Sequence, residues 1–230
     1  MNITVELSVV VPVYRCGPCL EPLYSRTKSV LSTIAPDHEI LFVDDASPDD
    51  SAQILARLAV LDPRVRVVSL PVNQGQPAAI AAGIAHARGR WVAVMDGDLQ
   101  DPPEVLTEFL AVARAGSEIV VGRRRAHPRA AWRRETSRLF AALVRVRGGS
   151  QLIGTHGLFS AISRRAVEGY LRCDERFVAY LAVLEALGLP IASVDYDRDE
   201  RVVGTSSYSV SRLVRRAWRV LKMGPIAGPG

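Results

Sequence analysis

Asp96-Gly97-Asp98 follow directly on the apolar run Trp91–Met95, so two carboxylates stand one residue apart where a buried strand runs out into solvent. At the end of so apolar a strand they are costly unless paired or bound to a metal ion, which makes a plain solvated turn the weaker alternative. Upstream, Glu39–Val43 ends in Asp44-Asp45, so two strands deliver four carboxylates toward one expected sheet edge. Ligands of open α/β sheets bind beyond the carboxyl ends of the strands. Asp44 and Asp45 can also serve as a turn and helix cap with Ser47.

The elements that must position these acids are legible as alternation. Strand-like runs occur at Leu7–Val13, Glu39–Val43, Val65–Leu70, Trp91–Met95 and Glu118–Val121. Between them, amphipathic helices are expected from Leu20, at Ser51–Leu61, at Pro77–His86 and at Pro103–Ala115, the last three opening on proline or acidic residues. This alternation predicts an α/β fold, a mostly parallel sheet flanked by helices. No repeat, low-complexity tract or linker divides the chain, so residues 1–230 read as one domain.

With 230 residues, 48% of them hydrophobic, the chain can bury a full core. Its net charge of +5 is unevenly spread, with residues 1–122 at −6 and residues 123–230 at +11. An acidic half suits a divalent cation, and a basic half suits phosphates, anionic headgroups or nucleic acid. The basic half shows no finger, zipper or aromatic-basic module, so nucleic acid is not an expected partner. No stretch reaches the roughly twenty apolar residues of a membrane span and no leader is visible, so a cytoplasmic location is expected. Three cysteines make no paired framework. Cys16-Gly-Pro-Cys19 has the spacing of a thioredoxin-like dithiol oxidoreductase and follows a strand, which keeps that function as a remote alternative to a simple Gly-Pro turn.

Four successive segments carry a resemblance: Val10-Val-Pro-Val-Tyr14, Val43-Asp-Asp-Ala-Ser-Pro-Asp49, Asn73-Gln-Gly75 and Asp96-Gly-Asp-Leu-Gln-Asp-Pro-Pro-Glu104. Together they resemble the inverting GT-A (Rossmann-like) glycosyltransferases, in particular the polyprenyl-phosphate sugar transferase branch that includes dolichol-phosphate mannose synthase. The resemblance implies a nucleotide-sugar donor, a UDP- or GDP-sugar, with Pro12, Tyr14, Asp44 and Asp45 around the nucleoside. It brings Asn73, Gly75 and Gln100 into the donor site and makes Asp96 and Asp98 the ligands of Mg²⁺ or Mn²⁺ at the diphosphate. Independently of family, a hard divalent ion on carboxylate oxygens neutralises charge that develops as a sugar–diphosphate bond breaks.

Past residue 104 the match loosens. Val120-Val-Gly-Arg-Arg-Arg125 resembles the family's strand ending in Gly-x-Arg, and Arg198 to Tyr208 resembles its Arg-x-x-Arg-x-x-Gly-x-Ser-Lys-Tyr segment, with Ser207 where lysine is usual. Arg123, Arg125, Arg198 and Arg201, with Ser206, are therefore expected at the phosphates, Arg212 being a further substitute for the missing lysine. Where the family carries an acid, this chain has His156, which either contacts the acceptor as a base or is an ordinary hydrogen-bonding residue. Asp174 and Glu175, before the helical run Val178–Leu187, either act on the acceptor or cap that helix.

The resemblance makes residues 1–122 the nucleotide- and metal-binding half and residues 123–222 a basic, helical acceptor-side half. Polyprenyl phosphate is the implied acceptor; a soluble transferase acting on a small-molecule or peptide hydroxyl is the alternative. Lipid-using members often carry carboxy-terminal membrane spans, whereas this chain stops at Gly230 without one and residues 223–230 read as a flexible tail. Ala131–Arg147 and Ser209–Met223 are basic amphipathic sequences that either lie peripherally on an anionic membrane face, pack on the sheet, or join copies of the chain as a homo-oligomer.

Overall fold

Strand β1 (Leu7–Val13) is buried at every position and lies between two parallel neighbours, β2 (His38–Asp44) and β4 (Trp91–Val94). A strand covered on both faces has no polar face to alternate with, which is why these segments read as unbroken apolar runs. The computed structural model describes residues 5–125, 152, 156–173 and 180–200. Its seven-stranded sheet continues with β3 (Val65–Ser69), β5 (Ile119–Arg124), β6 (His156–Ser163) and β7 (Ile191–Tyr196), in the order β3-β2-β1-β4-β6-β5-β7. Among the described strands only β6 runs antiparallel to its neighbours, and strands from both halves of the chain share this sheet.

Among the described residues, six helices cover the faces. Helices α1 (Gly17–Ile34), α2 (Ser51–Leu61) and α4 (Val105–Arg114) supply Leu20, Leu23, Leu55, Leu106 and Phe109 to the core that Val9, Val11 and Phe42 line. On the opposite face α3 (Gln76–His86), α5 (Arg164–Arg172) and α6 (Tyr180–Ala186) place Ile80, Ile84, Val167, Tyr170 and Val183 against Val10, Leu41 and Ile162. Gly83 lets α3 approach closely, because a Cβ there would overlap Val10 Cγ1.

Two elements differ from expectation. Helix α1 begins at Gly17 rather than Leu20, because Asp49, in the neighbouring loop after β2, accepts a hydrogen bond from Gly17 N (3.2 Å) at the first turn. Strand β5 extends through Arg124 because β7 pairs with it, Arg123 opposite Asp195 and Arg124 opposite Tyr196. The segments 131–147, 174–179 and 201–230 lie outside the described residues. They hold Glu175, Arg201, Ser206 and Arg212 as well as both basic amphipathic sequences.

Candidate active site

The four parallel strands from β3 to β4 end on one edge, and the chain leaves three of them through left-handed residues: Arg15 (φ 56°) after β1, Ala46 (φ 52°) after β2 and Leu99 (φ 62°) after β4. None is glycine, and such strain persists only where surrounding contacts hold it. One contact ties the first two loops together, and two brace a loop from within. Arg15 N donates to Ser47 Oγ (3.3 Å), Ser47 N to Asp44 Oδ1 (3.1 Å), and Gln100 N to Asp98 Oδ1 (3.2 Å).

Asp44 and Asp45 are both buried. Asp45 receives Gln74 N (2.7 Å) and Gly75 N (2.8 Å) on its two oxygens, and its carbonyl receives Asn73 Nδ2 (3.2 Å). It thereby anchors the Asn73–Gly75 loop, while Asp44 spends one oxygen on its own turn. Pro12 pairs with Val43 inside the sheet, and Tyr14 is 41% exposed at the edge with the Arg15 guanidinium 5.4 Å from its ring centre.

Asp96 and Asp98 stand at the centre. Asp96 Oδ1 accepts from Gln76 Nε2 (2.8 Å) and Oδ2 from Arg198 Nη2 (3.3 Å), with Arg124 Nη2 3.9 Å away. Arg198 Nη2 also lies 3.9 Å from Asp98 Oδ1. Behind them Asp101, wholly buried, accepts from Tyr196 OH (2.7 Å) and Arg198 Nε (3.1 Å). Burial, then the charges of Asp101 and Asp98, push the Asp96 carboxyl up to about 6 against the opposing pull of Arg198 and Arg124. Carboxylates crowded this way call for positive charge.

That charge can be a hard divalent ion. Among the described residues no group of three or more ligating side chains would hold a metal alone. Two carboxylates completed by substrate phosphate oxygens are a donor set that Mg²⁺ and Mn²⁺ accept, and Arg198 Nη2 already shows a cation seated against both acids.

On β5 the arginines divide by strand alternation. Arg123 pairs with Asp195 (2.5 Å) and Arg125 with Asp197 (3.2 Å), whereas Arg124, its side chain still 37% exposed, points to the other side, to Tyr196 OH (3.3 Å) and toward Asp96. Gly157 makes room for it, since a Cβ there would lie 2.8 Å from Arg124 Nη2. The motif contained this signal: Gly122-Arg123-Arg124 puts the arginine of Gly-x-Arg at Arg124. Sequence reading also passed over Gln76, Asp101 and Tyr196 as site residues. His156 faces Arg123 across the sheet and shares a 3.0 Å hydrogen bond with Ser193; burial and then Arg123 hold its pKa below the usual histidine range.

The Cys16–Cys19 motif lies in the first turn of α1. Burial pushes the Cys16 thiol up to about 12, the opposite of the lowered value that makes a dithiol reactive, so the oxidoreductase alternative is set aside. Cys16 Sγ lines the underside of Gly97, 3.4 Å from where a Cβ would stand.

An open, mostly parallel sheet with a carboxylate couple and two arginines at its carboxyl edge has the α/β architecture in which ligands bind beyond the strand ends. Residues 8–171 match the model of glycosyl transferase family 2, and the chain belongs to that family. It is 30% identical to the uncharacterized glycosyltransferase YkcC of Bacillus subtilis, over 94% of this chain and 67% of that protein. It is 33% identical to an undecaprenyl-phosphate 4-deoxy-4-formamido-L-arabinose transferase of Klebsiella pneumoniae, over 91% of this chain and 64% of that one. The chain thus spans about two thirds of the length of these relatives. The fold is GT-A-like: it superposes with TM-score 0.66 and 20% identity on a mannosyltransferase of Pyrobaculum calidifontis in complex with GDP-Man and Mn²⁺, covering 99% of this chain and 67% of that one. With glucosyl-3-phosphoglycerate synthase of Mycobacterium tuberculosis, bound to Mn²⁺, UDP and glucosyl-3-phosphoglycerate, the TM-score is 0.61 at 20% identity, covering 94% and 77%. Among the described residues no helix is long and apolar enough to cross a membrane.

Proposed function

We propose that this protein transfers a sugar, with inversion, from a nucleoside-diphosphate sugar to polyprenyl phosphate, using Mg²⁺ or Mn²⁺. The observation that carries the reading is the Asp96–Asp98 couple at the end of β4, crowded with like charge and flanked by Arg124 and Arg198. Support for the acceptor comes from relatives named as undecaprenyl-phosphate sugar transferases, and support for the donor from the GDP-Man and UDP complexes of the fold neighbours.

In this reading Tyr14 and Asp44 flank the nucleoside, and Asp45 holds the Asn73–Gly75 loop against it. Asp96 and Asp98 would hold a divalent ion, which would supply neutralisation of the charge that develops on the departing diphosphate. Arg124 donates to the diphosphate oxygens from the inner side of β5. An acceptor phosphate is anionic near pH 7 and needs no base, so alignment opposite the leaving group and fixed charge carry most of the rate. His156, kept neutral, is available as a base only for a hydroxyl acceptor.

Residues 1–122 form the donor half and residues 123–222 the acceptor half. The sequences 131–147 and 209–223, with Arg201 and Ser206, would bring the cytosolic membrane face or a second copy of the chain to the acceptor side. The test is incubation with Mn²⁺ and a panel of UDP-, GDP- and dTDP-sugars, with and without short-chain polyprenyl phosphate. Glycosylated polyprenyl phosphate is expected. Product only on a hydroxylated small molecule would remove the lipid acceptor, and no transfer from any donor would remove the reading.

A further inference from the structure

Arg198 stands beside both carboxylates that would hold a divalent ion. Its Nη2 lies 3.3 Å from Asp96 Oδ2 and 3.9 Å from Asp98 Oδ1, between the two carboxylates, whereas a bound Mg²⁺ sits about 2.1 Å from its ligand oxygens. The two cations cannot share that space. We propose that Arg198 is the resident counter-cation of the Asp96–Asp98 couple, displaced by the incoming divalent ion and then presented to the donor diphosphate. The proposal rests on the donor reading above.

The displaced group is set up to swing rather than leave. Its Nε is held by Asp101 Oδ1 at 3.1 Å, and Asp101, wholly buried, is itself fixed by Tyr196 OH at 2.7 Å. The backbone that carries it is docked along the 98–104 loop. Asp199 N donates to Gln100 O (3.0 Å), and Arg26 joins the Asp199 carboxylate (2.5 Å) to Glu104 (2.7 Å). Only the Nη end faces the partly exposed Asp96 and Asp98, so only that contact yields when a doubly charged ion arrives a few ångströms away. The side chain is 24% exposed, which leaves its far end a route outward.

The charge balance makes this a coupling device. Asp96, Asp98 and Asp101 carry three negative charges against two positive ones on Arg124 and Arg198, leaving one. A free divalent ion must evict the Nη end of Arg198 to use the couple, and that end then loses its carboxylate partners while Nε keeps Asp101. A diphosphate supplies a new partner with oxygens a guanidinium fork can hold. Ion and nucleoside diphosphate therefore strengthen each other's binding, and by linkage the factor is the same in both directions.

The test is Mn²⁺ binding to the full chain without sugar donor, read by the free Mn²⁺ electron paramagnetic resonance signal at pH 8, with and without UDP or GDP. Loss of one charge-assisted competitor sets the scale. Arg198→Gln is expected to bind Mn²⁺ about tenfold more tightly without nucleotide, equivalent to about 1.4 kcal/mol, and the enhancement by nucleotide is expected to shrink by a similar factor. Arg198→Met, apolar and of similar reach, replaces the glutamine variant if that one does not melt cooperatively. Nucleotide-free Mn²⁺ affinity equal to or weaker than wild type in the folded variant would overturn the proposal while leaving the donor reading intact. If Asp98→Asn binds Mn²⁺ as the wild type does, the donor reading itself falls, and this proposal with it.

Discussion

Arg123 and Arg124 end β5 and Arg125 follows directly, and only the middle one of the three should matter for chemistry. Arg124 is turned inward, hydrogen-bonded to Tyr196 OH (3.3 Å) and 3.9 Å from Asp96 Oδ2. Burial opposes its charge, yet Tyr196, Asp101 and Asp96 outweigh that and hold its pKa above the usual arginine value. A preorganised cation aimed at developing charge in a partly desolvated site contributes about 10²–10³ in turnover, or about 3–4 kcal/mol. Arg124→Ala should therefore lower kcat by roughly a hundredfold or more in the polyprenyl-phosphate assay. Arg123→Ala and Arg125→Ala remove exposed ion pairs with Asp195 and Asp197 and should leave kcat within about twofold. Gly157→Ala offers an independent handle: its new methyl would stand 2.8 Å from Arg124 Nη2, displacing the guanidinium without altering its charge, and should cost about tenfold in kcat. A loss in Arg123→Ala equal to that in Arg124→Ala would refute the assignment by strand alternation.

Asp98→Asn should reduce turnover by at least about a hundredfold with folding intact, as thermal melts would verify. Asp45→Ala removes two hydrogen bonds to a buried carboxylate and should destabilise by about 1–3 kcal/mol, read as a fall in Tm of about 5 °C by calorimetry. Acid stability should follow Asp62, whose carboxyl is drawn down to about 2 by Lys28, Arg64 N and Tyr24 although burial alone would raise it. Because its value in the unfolded chain is near about 3.9, its contribution is complete above that pH and disappears as pH falls toward 2. Melts from pH 5 to pH 2 should show a steeper loss in wild type than in Asp62→Asn.

The first half of the fold was legible because its strands are buried on both faces and its helices are amphipathic. Leu7–Val13 is uninterrupted apolar sequence, and Ser51–Leu61 carries its apolar residues at helical spacing; both elements fall at those bounds. β6 and β7 escaped the same reading for a physical reason. His156-Gly-Leu-Phe-Ser-Ala-Ile-Ser163 breaks its apolar pattern with serines that distant partners help satisfy: Ser160 Oγ shares a hydrogen bond with Tyr180 OH, and Ser163 Oγ donates to Glu118 while capping α5 by accepting from Ala166 N. β7 is an edge strand with an exposed Ile191 at its start, so nothing in Ile-Ala-Ser-Val-Asp-Tyr marks it as sheet until β5 supplies its partner.

The site was legible where chemistry and strand end coincide in sequence, and obscure where its members come from far along the chain. Asp96 and Asp98 announce themselves by following an apolar run. Asp101 looks like one more loop acid, and its role depends on Tyr196 and Arg198, ninety-five and ninety-seven residues later, meeting it inside the molecule. Gln76 reads as a helix-start residue until α3, crossing the sheet, brings its amide 2.8 Å from Asp96 Oδ1. For the β5 arginines the ambiguity was one of phase. Three in a row give no apolar alternation from which to tell inside from outside, and the register shift between Val121 and Arg123 spoils any extrapolation from Val120. The pairing with β7 resolves that phase, because Asp195 and Asp197 lie on the outer side to receive Arg123 and Arg125. Tyr196 faces inward between them, and Arg124 with it.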